Sequence, residues 1–153
     1  LSRLLSRGKS ARFQKTIVDE QLKALAAFSF PFPLEDPGVS LIFALCYSGV
    51  EPDDLEASLN AEIEKVQNEL ITEREFQKMQ NQLEAEFLTA YSTMAGIAES
   101  LANYHMYFGD ANLINTEIER YRKVTREDIQ RVAKEYMTPD NRVILYFLPK
   151  EGE

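Results

Sequence analysis

Phe28, Phe30 and Phe32 alternate with smaller residues in the run LKALAAFSFPFP, the period-two pattern of one strand face. Pro31 and Pro33 confine the end of that strand to a sheet edge, because proline has no N–H for a ladder. The following LEDPG supplies turn chemistry, with Pro37-Gly38 as the strongest punctuation. VSLIFALCY then forms a nearly continuous apolar run of strand length, so the two runs are expected to pair antiparallel. Strand pattern returns only in RVILYFLP, stopped by Pro149. Whatever sheet this chain builds must therefore be small.

The rest reads at helical period. Residues 10–20 place Phe13 and Ile17 on one face. From Glu51, Pro52 pre-sets a first turn that Asp53 or Asp54 can cap, and Leu55, Leu59, Ile63, Val66 and Leu70 share one stripe. Thr72 with Glu75 spells a capping box, in which hydroxyl and carboxylate satisfy each other's free N–H groups. A long helix over residues 72–108 follows, with a stripe from Phe76 through Met79, Leu83 and Phe87 to Leu101, loosened near Gly96 and ending near Gly109. A shorter helical stretch (NLINTEIERYRK) leads to a second capping box at Thr125 and Asp128, whose helix should bury Ile129, Val132, Ala133 and Tyr136. Thr138-Pro139-Asp140-Asn141 then reads as a turn.

Helix, two strands, several helices and a strand make an α+β two-layer sandwich, with a small, mostly antiparallel sheet covered on one face by helices. Three strands are thin cover for so much amphipathic helix, so further strands are expected upstream or in a partner chain. The first residue is Leu1, which suggests a mature product or an excised fragment.

A chain of 153 residues can bury a genuine core as one domain. No apolar run approaches the roughly 20 residues of a membrane span, and no apolar segment follows the basic start as in a signal peptide. The first 23 residues carry six Lys/Arg against Asp19 and Glu20, while the whole chain has net charge −8. So acidic a body would repel phosphate backbones, which argues against nucleic acid as a partner. The basic start reads as a solvated helix face, with contact to an acidic partner as the alternative. Compartment stays open.

Candidate chemistry is sparse. Gly8-Lys9-Ser10 resembles the end of a phosphate loop, but Arg3 stands where the motif needs its first glycine and no strand precedes it. His105 is the only histidine and Cys46 the only cysteine, which excludes an internal disulfide and leaves a zinc cage or a Ser-His-Asp triad without ligands to spare. Cys46 reads as a small buried hydrophobe, and His105 as a packed or partly exposed histidine rather than a ligand. The carboxylate pairs Glu62/Glu64, Glu84/Glu86 and Glu117/Glu119 fall mostly on polar helix faces, not in a converging cleft. The aromatic groups Phe28/Phe30/Phe32 and Tyr104/Tyr107/Phe108 read as core or inter-domain contacts. If any part meets a peptide, the strand of phenylalanines is the candidate, because an open edge can take an extended chain. No catalytic residue and no metal ligand is named, and the substrate-binding residues stay unknown.

Several segments, in order, resemble the C-terminal part of one homologous domain of the pitrilysin/insulinase family of zinc metallopeptidases. Gly8-Lys9-Ser10-Ala11-Arg12-Phe13 is similar to that family's G-x-S-S-R-L-Y. DPGVSLIFALCYSGVEPDDLEASLNAEIEKVQ resembles its strand, small-residue turn and helix, and ITEREFQKMQNQLEAEFL resembles a further helix with Met79-Gln80 near the usual Ala-Lys. VTREDIQRVAKEYMTPDNRVILYFLPK is the most specific segment, close to V-T-x-E-D-[IV]-x-x-x-A-x-x-Y-[LM]-x-P.

The resemblance covers essentially the whole chain and implies a single partial domain over residues 1–153 with its initial strands absent. It implies a processing-peptidase-like half domain of the inactive kind, without H-x-x-E-H. Zinc is expected on a separate catalytic domain, of the same chain or another subunit, and peptide substrate would be enclosed between the two. A structural assembly module without proteolytic role is the alternative, and an unrelated α+β interaction module a third reading. Active members often carry an Arg and a Tyr seven residues apart at the helix-to-strand junction of the inert half. Here those positions hold Val18 and Leu25, which departs from the pattern.

Overall fold

A computed structural model describes residues 1–34 and 38–148. The elements run α1 (Ser2–Ser6), α2 (Phe13–Glu20), β1 (Ala24–Phe32), β2 (Val39–Cys46), α3 (Pro52–Asn68), α4 (Glu73–Ala90), α5 (Met94–Phe108), α6 (Leu113–Arg122) and α7 (Arg126–Tyr136). A single 3-10 turn, Pro139–Asn141, follows. The fold is α+β, with helices on one side of an antiparallel pair. Pro37 of the expected turn and Pro149 lie outside the described residues.

β1 and β2 pair from Ala24 opposite Cys46 to Phe32 opposite Val39, with a bulge between Ala24 and Ala26. Alternation sends Ala27 and Ser29 toward the helices, where both are buried, and Phe28, Phe30 and Phe32 to the other face, each about half exposed. Small residues thus face the helix layer and let it approach closely. The phenylalanines lie outside this chain's core.

Under the small-residue face sit Leu4 and Leu5 of α1, Phe13 and Ile17 of α2, Leu55 and Val66 of α3, and Ile129 and Ala133 of α7. The i, i+4 spacing of Phe13 and Ile17 produces two fully buried side chains, as expected. α2 is wound more widely than an α-helix: the Gln21 N–H bonds the Thr16 carbonyl at 2.9 Å, five residues back. Both capping boxes form, Thr72 with Glu75 and Thr125 with Asp128. Gln67 Nε2 donates to the carbonyls of Ala133 and Met137 at 3.0 and 2.9 Å, clamping α7 to α3.

Several expectations are corrected. The helix over residues 72–108 is two helices, because Thr93 caps α5 by accepting the Gly96 N–H; the second does end at Gly109, in the left-handed region at φ +70°. Glu51, not Asp53 or Asp54, is the N-cap of α3, and those aspartates sit in its first turn, where the helix dipole favours them. Leu70 and Tyr136 are exposed rather than core. Glu62, expected on a polar face, is 3% exposed and held by Lys65 at 2.5 Å.

The largest departure is at the end of the described chain. Residues 142–148 form no strand. Exposure nevertheless alternates along Val143 (97%), Ile144 (45%), Leu145 (77%), Tyr146 (44%) and Phe147 (92%), the signature of an extended segment leaning one side on the molecule. Among the described residues, side chains hold it. Arg142 bonds Asn60 Oδ1 and Glu56 of α3, and the Tyr146 hydroxyl donates to Glu56. A strand needs a ladder partner, and among the described residues this segment has none.

Candidate functional site

The face of the sheet turned away from the helices is built from the cross-strand pairs Phe28 with Phe43, Phe30 with Leu41 and Phe32 with Val39, extended by Leu45. All are large and exposed, and none is charged, on a chain of net charge −8. A contiguous apolar surface of this kind marks a contact face rather than a solvated one. Where it meets α1, a shallow groove of about 650 Å³ runs past Ser6, Arg7 and Gly8 to Phe30 and Leu41.

The two edges of the sheet differ. At the β1 edge, the Ser6 hydroxyl accepts the Ser29 N–H and donates to the Ser29 carbonyl, both at 2.8 Å. One side chain therefore satisfies both outward groups of that residue, and Pro31, two residues on, has no N–H to offer. The edge expected to accept an extended chain is closed at its centre. Ser29 faces Ile42, so this is a pair without ladder bonds, and alternation turns the N–H and C=O of Ser40, Ile42 and Ala44 outward at the β2 edge. No plug comparable to Ser6 is found there among the described residues.

Ion pairs fix the helices behind this face. Arg3 of α1 and Arg7 just after it reach Glu86 of α4 at 2.8 and 3.1 Å, and Arg12 reaches Glu75 at 3.2 Å. Burial raises the Glu86 carboxyl, but the bonds and charges of the two arginines outweigh it and leave the group below its ordinary value. Glu75 behaves alike, burial being outweighed by the Thr72 N–H and Arg12. Glu56 is lowered chiefly by the Tyr146 hydroxyl, then by Asn60 and Arg142. Farther out, Tyr104 and Tyr121 converge on Glu117, and Tyr91 lies 3.2 Å from the Tyr104 hydroxyl. Burial and the Glu117 charge push Tyr91 and Tyr121 up. These contacts are structural ties.

The residues weighed for chemistry stay apart. Gly8 takes φ +88° between two helices, and the Ser10 hydroxyl accepts from Lys78, so no phosphate cradle forms. His105 is exposed on α5 and Cys46 is partly buried on β2. No group of three or more His, Cys, Asp or Glu able to hold a metal occurs among the described residues, so this donor set does not fit zinc. No helix among them is long and apolar enough to cross a membrane. Val18 packs against the core and Leu25 sits exposed at the β1 bulge, and their side chains carry only carbon. Sequence reasoning missed Ser6, since a serine beside an arginine and a glycine carries no sign that it will meet a strand 23 residues away.

The fold is an α+β domain, and among its described residues no group of three or more possible metal ligands is brought together. The family described as the Peptidase M16 inactive domain matches residues 1–83, more than half of the chain, and the chain belongs to that family. It is 28% identical over 149 residues to the zinc protease PqqE of Helicobacter pylori, a match taking in 97% of this chain and 33% of that protein. The chain thus spans about a third of the length of that relative. The crystal structure of a protease from Helicobacter pylori superposes with a TM-score of 0.82 at 28% identity, covering 90% of this chain and 33% of that one. The inactive peptidase domain of a designated zinc protease from Bordetella parapertussis superposes with a TM-score of 0.84 at 22% identity, covering 99% of this chain and 81% of that one. The second likeness is one of fold.

Proposed function

We propose that this chain is part of the non-catalytic half of a zinc metalloendopeptidase and helps enclose a peptide against a separate zinc-bearing domain. The carrying observation is the uncharged apolar sheet face from Phe28 to Leu45, turned away from the helices in a chain that belongs to an inactive peptidase family. Such a surface can wall a chamber or seat a partner domain by burying apolar area, and it needs no reacting group. Val18 and Leu25 favour an architectural contribution over a grip on the scissile bond, because neither side chain can donate a hydrogen bond to a peptide.

Zinc belongs, in this reading, to the catalytic domain, and residues 1–153 form one partial domain of the parent protein. The test is reconstitution. The 153-residue chain should bind no stoichiometric zinc by calorimetry and hydrolyse no peptide alone. Adding it to the zinc-bearing half should raise peptide hydrolysis above that of either part. Full peptidase activity from this chain alone, or a parent protein without H-x-x-E-H in itself or a partner subunit, overturns the reading.

A further inference from the structure

We infer that the groove between α1 and the apolar sheet face binds an extended peptide in which a glutamate or aspartate side chain stands beside bulky apolar ones, and that Arg7 selects the carboxylate. The inference rests on the peptide-enclosing role proposed above and adds the class of sequence preferred.

The groove offers about 650 Å³, with Phe28, Phe30, Leu41 and Phe43 along it and Arg7 and Gly8 at one end. Main-chain recognition is shut at the adjoining edge, because Ser6 takes both outward groups of Ser29 and Pro31 has no N–H. A peptide lying here is therefore read by its side chains. The apolar stretch rewards burial without fixing a direction, and Arg7 supplies a directional contact.

Arg7 can do this although it is ion-paired. Its Nε and Nη2 both donate to a single oxygen of Glu86, at 3.3 and 3.1 Å. Nη1 has no partner among the described residues, so the Nη1–Nη2 edge can grip a second carboxylate through two parallel bonds. Arg3 meets the other oxygen of Glu86 at 2.8 Å. Two guanidinium groups against one carboxylate leave one positive charge over, and Arg7 is the more exposed of the two, at 62% against 36%. Lys9, exposed two residues on, adds positive charge to the same end. Gly8, at φ +88°, turns the chain after Arg7 and puts no side chain over the groove. On a chain of net charge −8 this cationic end is a local exception, and an acidic side chain is its complement.

Fluorescence anisotropy on the 153-residue chain tests the inference. The probes are hexapeptides with a dye at the N-terminus and an amide at the C-terminus, each holding Phe-Leu followed by Glu, Gln or Lys. At low salt the Glu peptide should bind about fivefold more tightly than the Gln peptide, and the Lys peptide more weakly than either. The preference should fade at about 0.5 M salt. Arg7→Gln should abolish it while leaving the Gln peptide's affinity unchanged, and Phe30→Ser should weaken the Glu and Gln peptides alike. Equal binding of those two, a preference that survives Arg7→Gln, or no binding of any peptide at millimolar concentration overturns the inference. A Gln peptide that gains the same fivefold from a free C-terminus assigns Arg7 to chain ends and overturns it as well. So does a dimer that Phe30→Ser dissolves, which assigns the groove to a second copy. The peptidase reading fails separately: a charge preference here, with no gain in hydrolysis on reconstitution with the zinc-bearing half, would sink that reading alone.

Discussion

Ser6→Ala should destabilise the protein by about 2 kcal/mol, while Ser29→Ala, made at the residue it contacts, should not. The Ser6 oxygen lies 2.8 Å from both the nitrogen and the carbonyl oxygen of Ser29, and 3.3 Å from the Ser2 carbonyl. Its one proton goes to the nearer carbonyl, and its lone pair takes the Ser29 N–H. Each such bond is worth a net ~1 kcal/mol, and a buried group left unpaired costs about 1–3 kcal/mol. Ser29 is 6% exposed, so water cannot readily replace the lost partner. By contrast, the Ser29 hydroxyl itself is buried without a partner among the described residues. Deleting it removes a desolvated polar atom and should leave stability unchanged or raise it by up to about 1 kcal/mol.

Urea unfolding followed by circular dichroism checks both variants, with an unchanged slope confirming that the midpoint shift reports stability. Ser6→Thr, which keeps the hydroxyl, should recover most of the loss. A Ser6→Ala loss below about 0.5 kcal/mol, or an equal loss from Ser29→Ala, would refute the account of the closed edge.

Phe13→Ala empties a site with no exposure at the meeting of α1, α2 and β1, and should cost about 3–5 kcal/mol in the same assay. Thr72→Ala and Thr125→Ala each break a capping box and should cost about 1 kcal/mol apiece, additively, since they cap different helices. Glu56, Glu75 and Glu86 all have folded values below 4.5. The unfolded chain therefore takes up protons first as pH falls, so their stabilisation is complete above that value and is lost below it. Denaturant midpoints should hold between about pH 6 and 5 and drop below about pH 4, with a smaller drop in Glu86→Gln.

Local chemistry was legible. Phe13 and Ile17, both capping boxes and the Gly109 stop follow from spacing within a few residues, and all take the expected form. Facing direction was not. The Phe28 to Phe32 alternation marks one face of a strand, but nothing local says whether that face looks inward. Ala24, Ala27 and Ser29 won the interior because a closely packed helix layer selects small residues, and that layer includes Leu4 and Leu5, whose short helix no periodicity announced. RVILYFLP has full strand character, yet a ladder is a property of two segments, and the second is absent among the described residues. The seat of Glu62 was hidden for a related reason: burial of a charged residue depends on what lies over its helix.

The distribution of charge explains why one surface can stay apolar without destabilising the rest. The arginines of the N-terminal region spend their charge on α4, through Glu75 and Glu86, and Arg122 of α6 pairs with Glu84 of α4 and with Glu119 of its own helix. Exposed pairs of this kind contribute little stability each, so their consequence is mainly where they put charge. They draw it to the helix layer and leave the sheet face from Phe28 to Leu45 with none. Contact made there is driven by apolar burial, insensitive to salt over short range, and tolerant of the partner's sequence provided its surface is also apolar. Those are the properties that the proposed role, holding position against a separate zinc-bearing domain, would call for. Replacing Val18 or Leu25 with a hydrogen-bonding residue would add a directional contact at the helix-to-strand junction and leave the wall itself unchanged.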